Sequence, residues 1–365
     1  MGLVTFLFLT YKIETGPIRD GPCYSCGMNL NMSAWQLSKT APQGLDLVQR
    51  PKPRARRGEV VVRLLAAALN YRDLMARAGN YGEHHPIIPL VDGVGEIVEL
   101  GDGVTQFKVG DRVSGTYFPR WTEGEMTQER VTVSPGSRQT DGVLADYFVV
   151  AEESAVAVPA YLTDAEAATV GCAAVTAWNA LFETYALKPG ETVLILGTGG
   201  VSIFGLQLAK LAGARVIITS SDDAKLERAR ALGADETINY RRHPKWSEQV
   251  LALTNGRGVD LALDNVGGSA LNQVVDNVRH DGTVALIGVL GGVEAPVSTI
   301  GMLVRNTRVH GLFVASRAQY VAMNRAISLH QLKPVVDRVF PFTEARAAYD
   351  YLESAKHFGK VVIAR

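Results

Sequence analysis

The chain has 365 residues, more than one ordinary hydrophobic core accommodates, and at about 150 residues per domain it divides into two. With 47% hydrophobic and 20% charged residues, 36 Gly and 15 Pro, it has the composition of a folded globular protein and not of a disordered or fibrous one. Lys plus Arg and Asp plus Glu are equal at 37 each, so the overall balance gives no support to nucleic acid or an anionic membrane as a partner.

Residues 1–31 differ from the rest of the chain. They hold two of the three cysteines, and Met32 opens Met-Ser-Ala-Trp-Gln-Leu, which reads as a protein start, so an N-terminal extension is expected there. The apolar run 3–9 is interrupted by Thr5, falls far short of the roughly 20 residues of a membrane span, and lacks the basic flank and cleavage site of a signal peptide. Cys23 and Cys26 form a C-x-x-C with no second pair and no flanking strand-helix pattern, and are read as a chance spacing. With Cys172 they are too few for a disulfide framework and point to a reducing compartment, the cytosol.

Residues 32–158 read as short strands separated by turn signals. Segments 60–66, 95–99, 112–114 and 145–151 are rich in Val and Ile, with Gly, Asp and Pro around them. One helix is predicted over 71–78, stopped by Gly79, and the weakly periodic stretch 117–141 reads as a surface excursion. The pattern then alternates: strand 192–196, helix 201–212, strand 215–219, helix 223–232, strand 259–264, helix 269–278 and strand 283–288. That alternation predicts a doubly wound α/β domain with a parallel sheet of Rossmann type over 159–315. A last β pattern, ending in Gly359-Lys-Val-Val-Ile, is expected to return to the first domain, which is therefore assigned 32–158 and 316–365.

The strongest chemical signal is Gly197-Thr-Gly-Gly-Val-Ser-Ile-Phe-Gly205. Gly197, Thr198, Gly199, Gly200 and Val201 lie between a strand and a helix whose first amides can face a pyrophosphate. The third glycine of G-x-G-x-x-G falls on Ser202, and Gly205 comes one turn later; both are small enough for close helix-strand packing. An NAD enzyme carries Asp or Glu about 20 residues past the first glycine, to accept from the ribose hydroxyls. Here Ser220 stands at that place, and Ser220, Ser221 and Lys225 can all donate to a 2′-phosphate, so NADPH is the expected cofactor. Asp222 and Asp223, just beyond, weigh the other way.

Several segments taken in order carry a family resemblance. They are Asn70-Tyr-Arg-Asp-Leu-Met, Pro89-Leu-Val-Asp-Gly-Val-Gly95, Gly110-Asp-Arg-Val113, Thr176-Ala-Trp-Asn-Ala-Leu181, the glycine loop, Gly233-Ala-Asp-Glu-Thr-Ile-Asn-Tyr240, Asp264-Asn-Val-Gly-Gly268 and Gly359-Lys-Val-Val362. The chain resembles the medium-chain dehydrogenase/reductase superfamily, and within it the zinc-lacking quinone oxidoreductase-like branch. The resemblance implies a GroES-like β-rich substrate domain beside the Rossmann domain, with the active site in the cleft between them. It implies further that Asn70 and Thr176 border the nicotinamide and substrate pocket. Asn265, Gly288, Val289, Leu290, Phe313, Val314 and Arg317 become cofactor contacts by the same likeness, with Tyr240 joining Ser221 and Lys225 at the 2′-phosphate.

Zinc-dependent members of the superfamily hold a catalytic metal with a Cys, a His beside a Glu, and a second Cys. The matching positions here are Asn70, Val91 beside Asp92, and Cys172, so a tetrahedral N/S site is not expected and Cys172 reads as a small buried hydrophobe. Without a metal to stabilise an alkoxide, hydride delivery to a quinone or an α,β-unsaturated carbonyl, or to an aldehyde, is the more natural chemistry. Gly79-Asn-Tyr-Gly82 resembles a loop of enoyl-thioester reductases, which makes Tyr81 a candidate to hydrogen-bond the carbonyl or supply the proton. A zinc-independent alcohol dehydrogenase and a non-catalytic, crystallin-like NADPH-binding protein are the alternatives. By resemblance a homodimer is expected, joined along Rossmann sheet edges near the apolar segments 283–290 and 297–303.

Overall fold

The structure, a computed structural model, describes residues 31–38, 44–80, 86–137, 140–294 and 296–365. Cys23, Cys26, Tyr81, His84 and His85 lie outside the described residues.

Strands β1 (Asn31–Leu37) and β2 (Leu45–Pro51) form an antiparallel pair, and β3 (Glu59–Leu69) begins a larger sheet. Helix α1 (Tyr71–Arg77) comes directly after it, then β4 (Asp92–Leu100), β5 (Arg112–Gly115), β6 (Tyr147–Ala151) and β7 (Ala155–Ala157). Helix α1 starts where Asn70 leaves the extended conformation, and the Asp73 carboxylate accepts from the Asn70 amide at 2.7 Å, closing the first turn in capping-box fashion. Helix α2 (Asp164–Ala167) opens a helical run that continues through α3 (Val175–Trp178) to Thr184, with wide π-type turns at Val170–Ala174 and Asn179–Thr184. Such turns re-aim side chains within a helix and concentrate at functional sites.

The second sheet contains β8 (Thr192–Leu196), β9 (Arg215–Ser220), β10 (Glu236–Asn239), β11 (Val259–Asp264), β12 (Val278–Leu286) and β13 (Arg308–Gly311). Its spatial order is β10-β9-β8-β11-β12-β13, and every pairing is parallel. Read from β8, that is the 3-2-1-4-5-6 order of a dinucleotide-binding fold, with the order reversing between β8 and β11. Strands β8 and β11 are buried at every position, as strands covered by helices on both faces are; β8 is apolar after Thr192, whereas β11 carries the buried Asp260 and Asp264 among Val, Leu and Ala. The covering helices include α4 (Gly200–Leu211), α5 (Asp223–Ala231), α6 (Trp246–Leu253), α7 (Leu271–Asn277) and α8 (Thr299–Arg305).

After α9 (Arg317–Leu329) the chain leaves this sheet. Strand β14 (Val336–Pro341), helix α10 (Ala345–Glu353) and strand β15 (Lys360–Ala364) bring it back to the first sheet, where β15 pairs antiparallel with β3 and parallel with β14. The seven-stranded sheet thus takes strands from both ends of the chain.

Two expectations need correction. Segment 117–141 is not wholly a surface excursion: Tyr117, Phe118 and Trp121 are buried. The rings of Tyr117 and Phe118 meet Phe313 edge-on at 5.5 and 5.1 Å, and the Arg317 amide donates to the Trp121 carbonyl. The weak periodicity concealed these contacts because they are made to residues nearly two hundred positions away. Nor is segment 283–290 at a sheet edge: β12 lies between β11 and β13, and β13 is the outer strand.

Candidate active site

Many of the residues singled out by sequence lie at or just beyond the carboxyl ends of β8, β9, β11 and β12, and the glycine loop after β8 meets the turn before β15 in a Gly199–Gly359 bridge. Gly197 has φ +77, which turns the chain sharply out of β8, and Gly199 caps α4 with no side-chain partner for the first-turn amides. A β-carbon added to Gly199 would meet only His357 Nε2, at 4.0 Å, so the space in front of those amides is open. Gly200 is different, since a β-carbon there would lie 2.7 Å from Lys360 Cδ and 3.2 Å from Ala173 Cβ. Its bareness serves the contact between the two domains.

Behind the loop, Asn265 Nδ2 donates to Ser202 Oγ at 3.0 Å, and Ser202 Oγ donates to the Leu196 carbonyl at 2.8 Å, tying the ends of β8 and β11 to α4. The Oδ1 of Asn265 is buried with no partner, an acceptor available to a ligand N–H. Gly288 packs so closely on Asn265 that a β-carbon would stand 1.8 Å from the Asn265 carbonyl oxygen. Open amides at a helix N-terminus, a loop that leaves room before them and an unpaired acceptor at the strand ends fit a dinucleotide.

At the end of β9, Ser220 is buried and its Oγ accepts from the Asp222 amide at 3.3 Å. Both competing acids already have partners. Asp222 accepts from the amides of Ala224 and Lys225 as the cap of α5, and Asp223 is held by Arg242 and by Asn239 Nδ2. Lys225 Nζ donates to the Ala355 carbonyl at 2.6 Å, and burial pushes its ammonium below the ordinary lysine value. Tyr240 is exposed beside this strand end, its amide donating to the Ser220 carbonyl.

The segment after β13 also carries a backbone signal. Val314 has φ +56, a conformation that β-branched residues avoid, and its carbonyl accepts from Asn179 Nδ2 at 2.6 Å. Strain of this kind marks a place where backbone direction matters more than local comfort. A cavity of about 500 Å³ opens beside it, lined by Gly288, Val289, Leu271 and Phe313 among others. Thr176 is buried, with its hydroxyl donating to the Cys172 carbonyl at 2.7 Å. Arg317 Nε instead donates to the Ala155 carbonyl of β7, so that guanidinium ties α9 to the substrate domain.

Between the domains lies a buried polar cluster that sequence reading only partly anticipated. Lys360 Nζ donates to the Leu69 carbonyl and to Asn70 Oδ1, both at 2.7 Å, and stands 3.8 Å from Asp92 Oδ2. Asn70 Nδ2 in turn donates to Asp92 Oδ2 at 2.9 Å. Asn70 therefore has its oxygen and one amide hydrogen engaged, leaving one amide hydrogen. Asp92 accepts from Asn70 and from the Cys172 amide. Burial pushes its carboxyl above the usual range, and pushes that of Asp73, beside Arg72, up to about 6. Cys172 is half-buried and packs against the hydrophobic core, and burial raises its thiol so that it stays protonated. Lys360 and His357 are the residues missed. Their only signal was position around Gly359, and nothing local says that this turn meets the glycine loop. Among the described residues no group of three or more His, Cys, Asp or Glu is arranged to hold a metal.

This architecture is that of a two-domain oxidoreductase with a dinucleotide-binding fold in its second domain. Residues 56–160 match the family model described as an alcohol dehydrogenase GroES-like domain, and residues 200–328 match that of a zinc-binding dehydrogenase. A zinc-type alcohol dehydrogenase-like protein of Schizosaccharomyces pombe is 40% identical over 330 residues, covering 88% of this chain and 94% of its own. Among solved structures, an NAD-dependent alcohol dehydrogenase superposes with a TM-score of 0.83 at 33% identity, covering 92% of this chain and all of that one. The mycobacterial protein Rv1454c, solved in complex with NADPH, gives 0.76 at 25% identity over the same shares. The chain belongs to the medium-chain dehydrogenase/reductase superfamily.

Proposed function

We propose that the protein is an NADPH-dependent reductase that delivers hydride to a quinone or an α,β-unsaturated carbonyl without a catalytic zinc. The observation that carries this reading is Lys360: at the position matched to a zinc ligand, the Asn70 carboxamide is clamped between a buried ammonium and Asp92. That pocket already contains its cation. A divalent ion added there would meet like charge and an amide instead of a thiolate.

NADPH when bound supplies the hydride. The chain's part is to hold it, with the glycine loop and the α4 amides toward the pyrophosphate, Ser221 and Lys225 toward the 2′-phosphate, and Asn265 Oδ1 as an acceptor at the strand ends. Ser220 at the place of the usual acid, with Ser221 and Lys225 as donors, favours NADPH over NADH; Asp223 is paired with Arg242, and Asp222 is engaged through one oxygen as the cap of α5. Thr176 borders the nicotinamide, the remaining Asn70 amide hydrogen orients the acceptor, and Tyr81 supplies a proton or a hydrogen bond to the acceptor's carbonyl. A conjugated acceptor spreads the arriving charge and needs only orientation and one proton.

A zinc-independent alcohol dehydrogenase is the second reading, favoured by the descriptions of the relatives in fission yeast and of the NAD-dependent structure. Fluorescence titration with NADPH and NADH on metal-analysed protein, followed by cofactor oxidation with a panel of quinones and enones, tests the first. Stoichiometric zinc, or turnover confined to alcohols and NAD, would refute it. We propose in addition that a second copy covers the exposed apolar side chains of Leu290, Ile300, Leu303 and Val304 near the outer strand β13. Light scattering showing only monomer at micromolar concentration would sink that assembly.

A further inference from the structure

The turn between α10 and β15 belongs to the substrate domain yet is fastened to the cofactor domain at several points. The Gly359 amide donates to the Thr198 carbonyl at 3.0 Å, and Gly359 makes a parallel bridge with Gly199. Lys225 Nζ holds the Ala355 carbonyl, while Arg228 lies over the Phe358 ring at 4.2 Å and pairs with Asp337 at 2.9 Å. His357 sits among these fastenings. Its Nδ1 is buried with no hydrogen-bond partner, and its Nε2 lies 4.0 Å from where a β-carbon on Gly199 would stand.

An imidazole so placed is expensive unless something compensates for it. The groups acting on it electrostatically are Lys225 and Lys360, which repel a proton, and Asp337, which attracts one. Burial, with the lysines adding to it, holds the ring down at about 4, so it is neutral near pH 7. A neutral imidazole has one N–H, and a buried unpaired acceptor is tolerated more readily than a buried unpaired N–H. The tautomer with Nδ1 bare and the proton on Nε2 is therefore the favoured one. That donor is then the ring nitrogen on the side of Gly199, the N-cap of α4, whose first-turn amides have no side-chain partner.

We propose that His357 is a ligand for a phosphate group of the bound dinucleotide, so that the substrate domain supplies a wall of the cofactor site. The inference rests on the nicotinamide-cofactor reading above. A phosphate oxygen gives Nε2–H the acceptor that the protein does not provide, and its negative charge relieves the opposition of the two lysines. The pyrophosphate and the 2′-phosphate share this chemistry, and comparing the two cofactors tells them apart.

The test is equilibrium binding followed by nicotinamide fluorescence, with NADPH and NADH, for wild type, His357→Phe and His357→Gln, with melting curves to establish that each is folded. Phe keeps bulk without a donor, whereas Gln keeps a donor. Loss of a hydrogen bond to a charged group weakens binding about ten- to a hundredfold, so His357→Phe should lose that much and His357→Gln recover part of it. Loss confined to NADPH assigns His357 to the 2′-phosphate, and equal loss for both cofactors assigns it to the pyrophosphate. If the wild type binds and both variants match it, the inference is overturned while the cofactor reading stands. If the wild type binds neither cofactor, both fall together.

Discussion

Replacing Lys360 by Met removes the ammonium from a buried cluster while keeping most of the aliphatic stem that packs on Gly200. Three interactions vanish: the bonds to the Leu69 carbonyl and Asn70 Oδ1, and the attraction to Asp92 at 3.8 Å. Removing one partner of a buried charge pair costs about 3–5 kcal/mol, chiefly because the other charge remains. Asp92 keeps its bonds from Asn70 and the Cys172 amide, so the low end applies, about 3 kcal/mol. For a chain of this size that is a fall in Tm of roughly 5 °C. The penalty should shrink as pH is lowered and Asp92 takes up a proton, since burial already raises its carboxyl. Adding Asp92→Asn removes the stranded charge, and the double variant should recover about 1–2 kcal/mol relative to the sum of the single changes. Differential scanning calorimetry across pH on the four proteins measures all of this. A Lys360→Met melt within about 1 °C of wild type, or strict additivity of the double variant, would refute the assignment of Lys360 as the resident cation.

Three other outcomes are expected from the same geometry. Gly199→Ala places its methyl group in open space at a φ that alanine accepts, so Tm should move little while NADPH affinity falls more than about tenfold; an unaltered Kd would remove the glycine loop from the binding site. Lys225→Ala should weaken NADPH by about tenfold and leave NADH nearly unchanged, and equal losses would show that Lys225 acts only by tethering Ala355. Asp73, raised by burial to about 6, binds a proton in the folded chain at pH values where the unfolded carboxyl, near about 3.9, has lost it. Its contribution is therefore full below the unfolded value and lost as pH rises through about 6. The stability advantage of wild type over Asp73→Asn in urea should accordingly shrink between about pH 4.5 and 6.5, and an advantage that grows instead would contradict the burial argument.

Much of this protein was determined by the sequence alone. The apolar run 193–196 dictates a strand buried on both faces, and Gly197 and Gly199 between strand and helix dictate a phosphate-type turn, because these signals depend on neighbours in the chain. Asn70 and Val91 at the positions of metal ligands were equally legible, being matters of residue type. Only the tertiary structure decided which distant groups stand beside Asn70 and beside the glycine loop. Lys360 meets Asn70 across 290 positions, and His357 approaches Gly199 from a similarly remote part of the chain, through a turn whose local pattern says no more than strand start. The edge position of β13 and the burial of Tyr117 and Trp121 were decided in the same way, by which surfaces the two sheets bring together. Periodicity reports which face of an element is apolar; it carries no information about which distant polar group that face will meet.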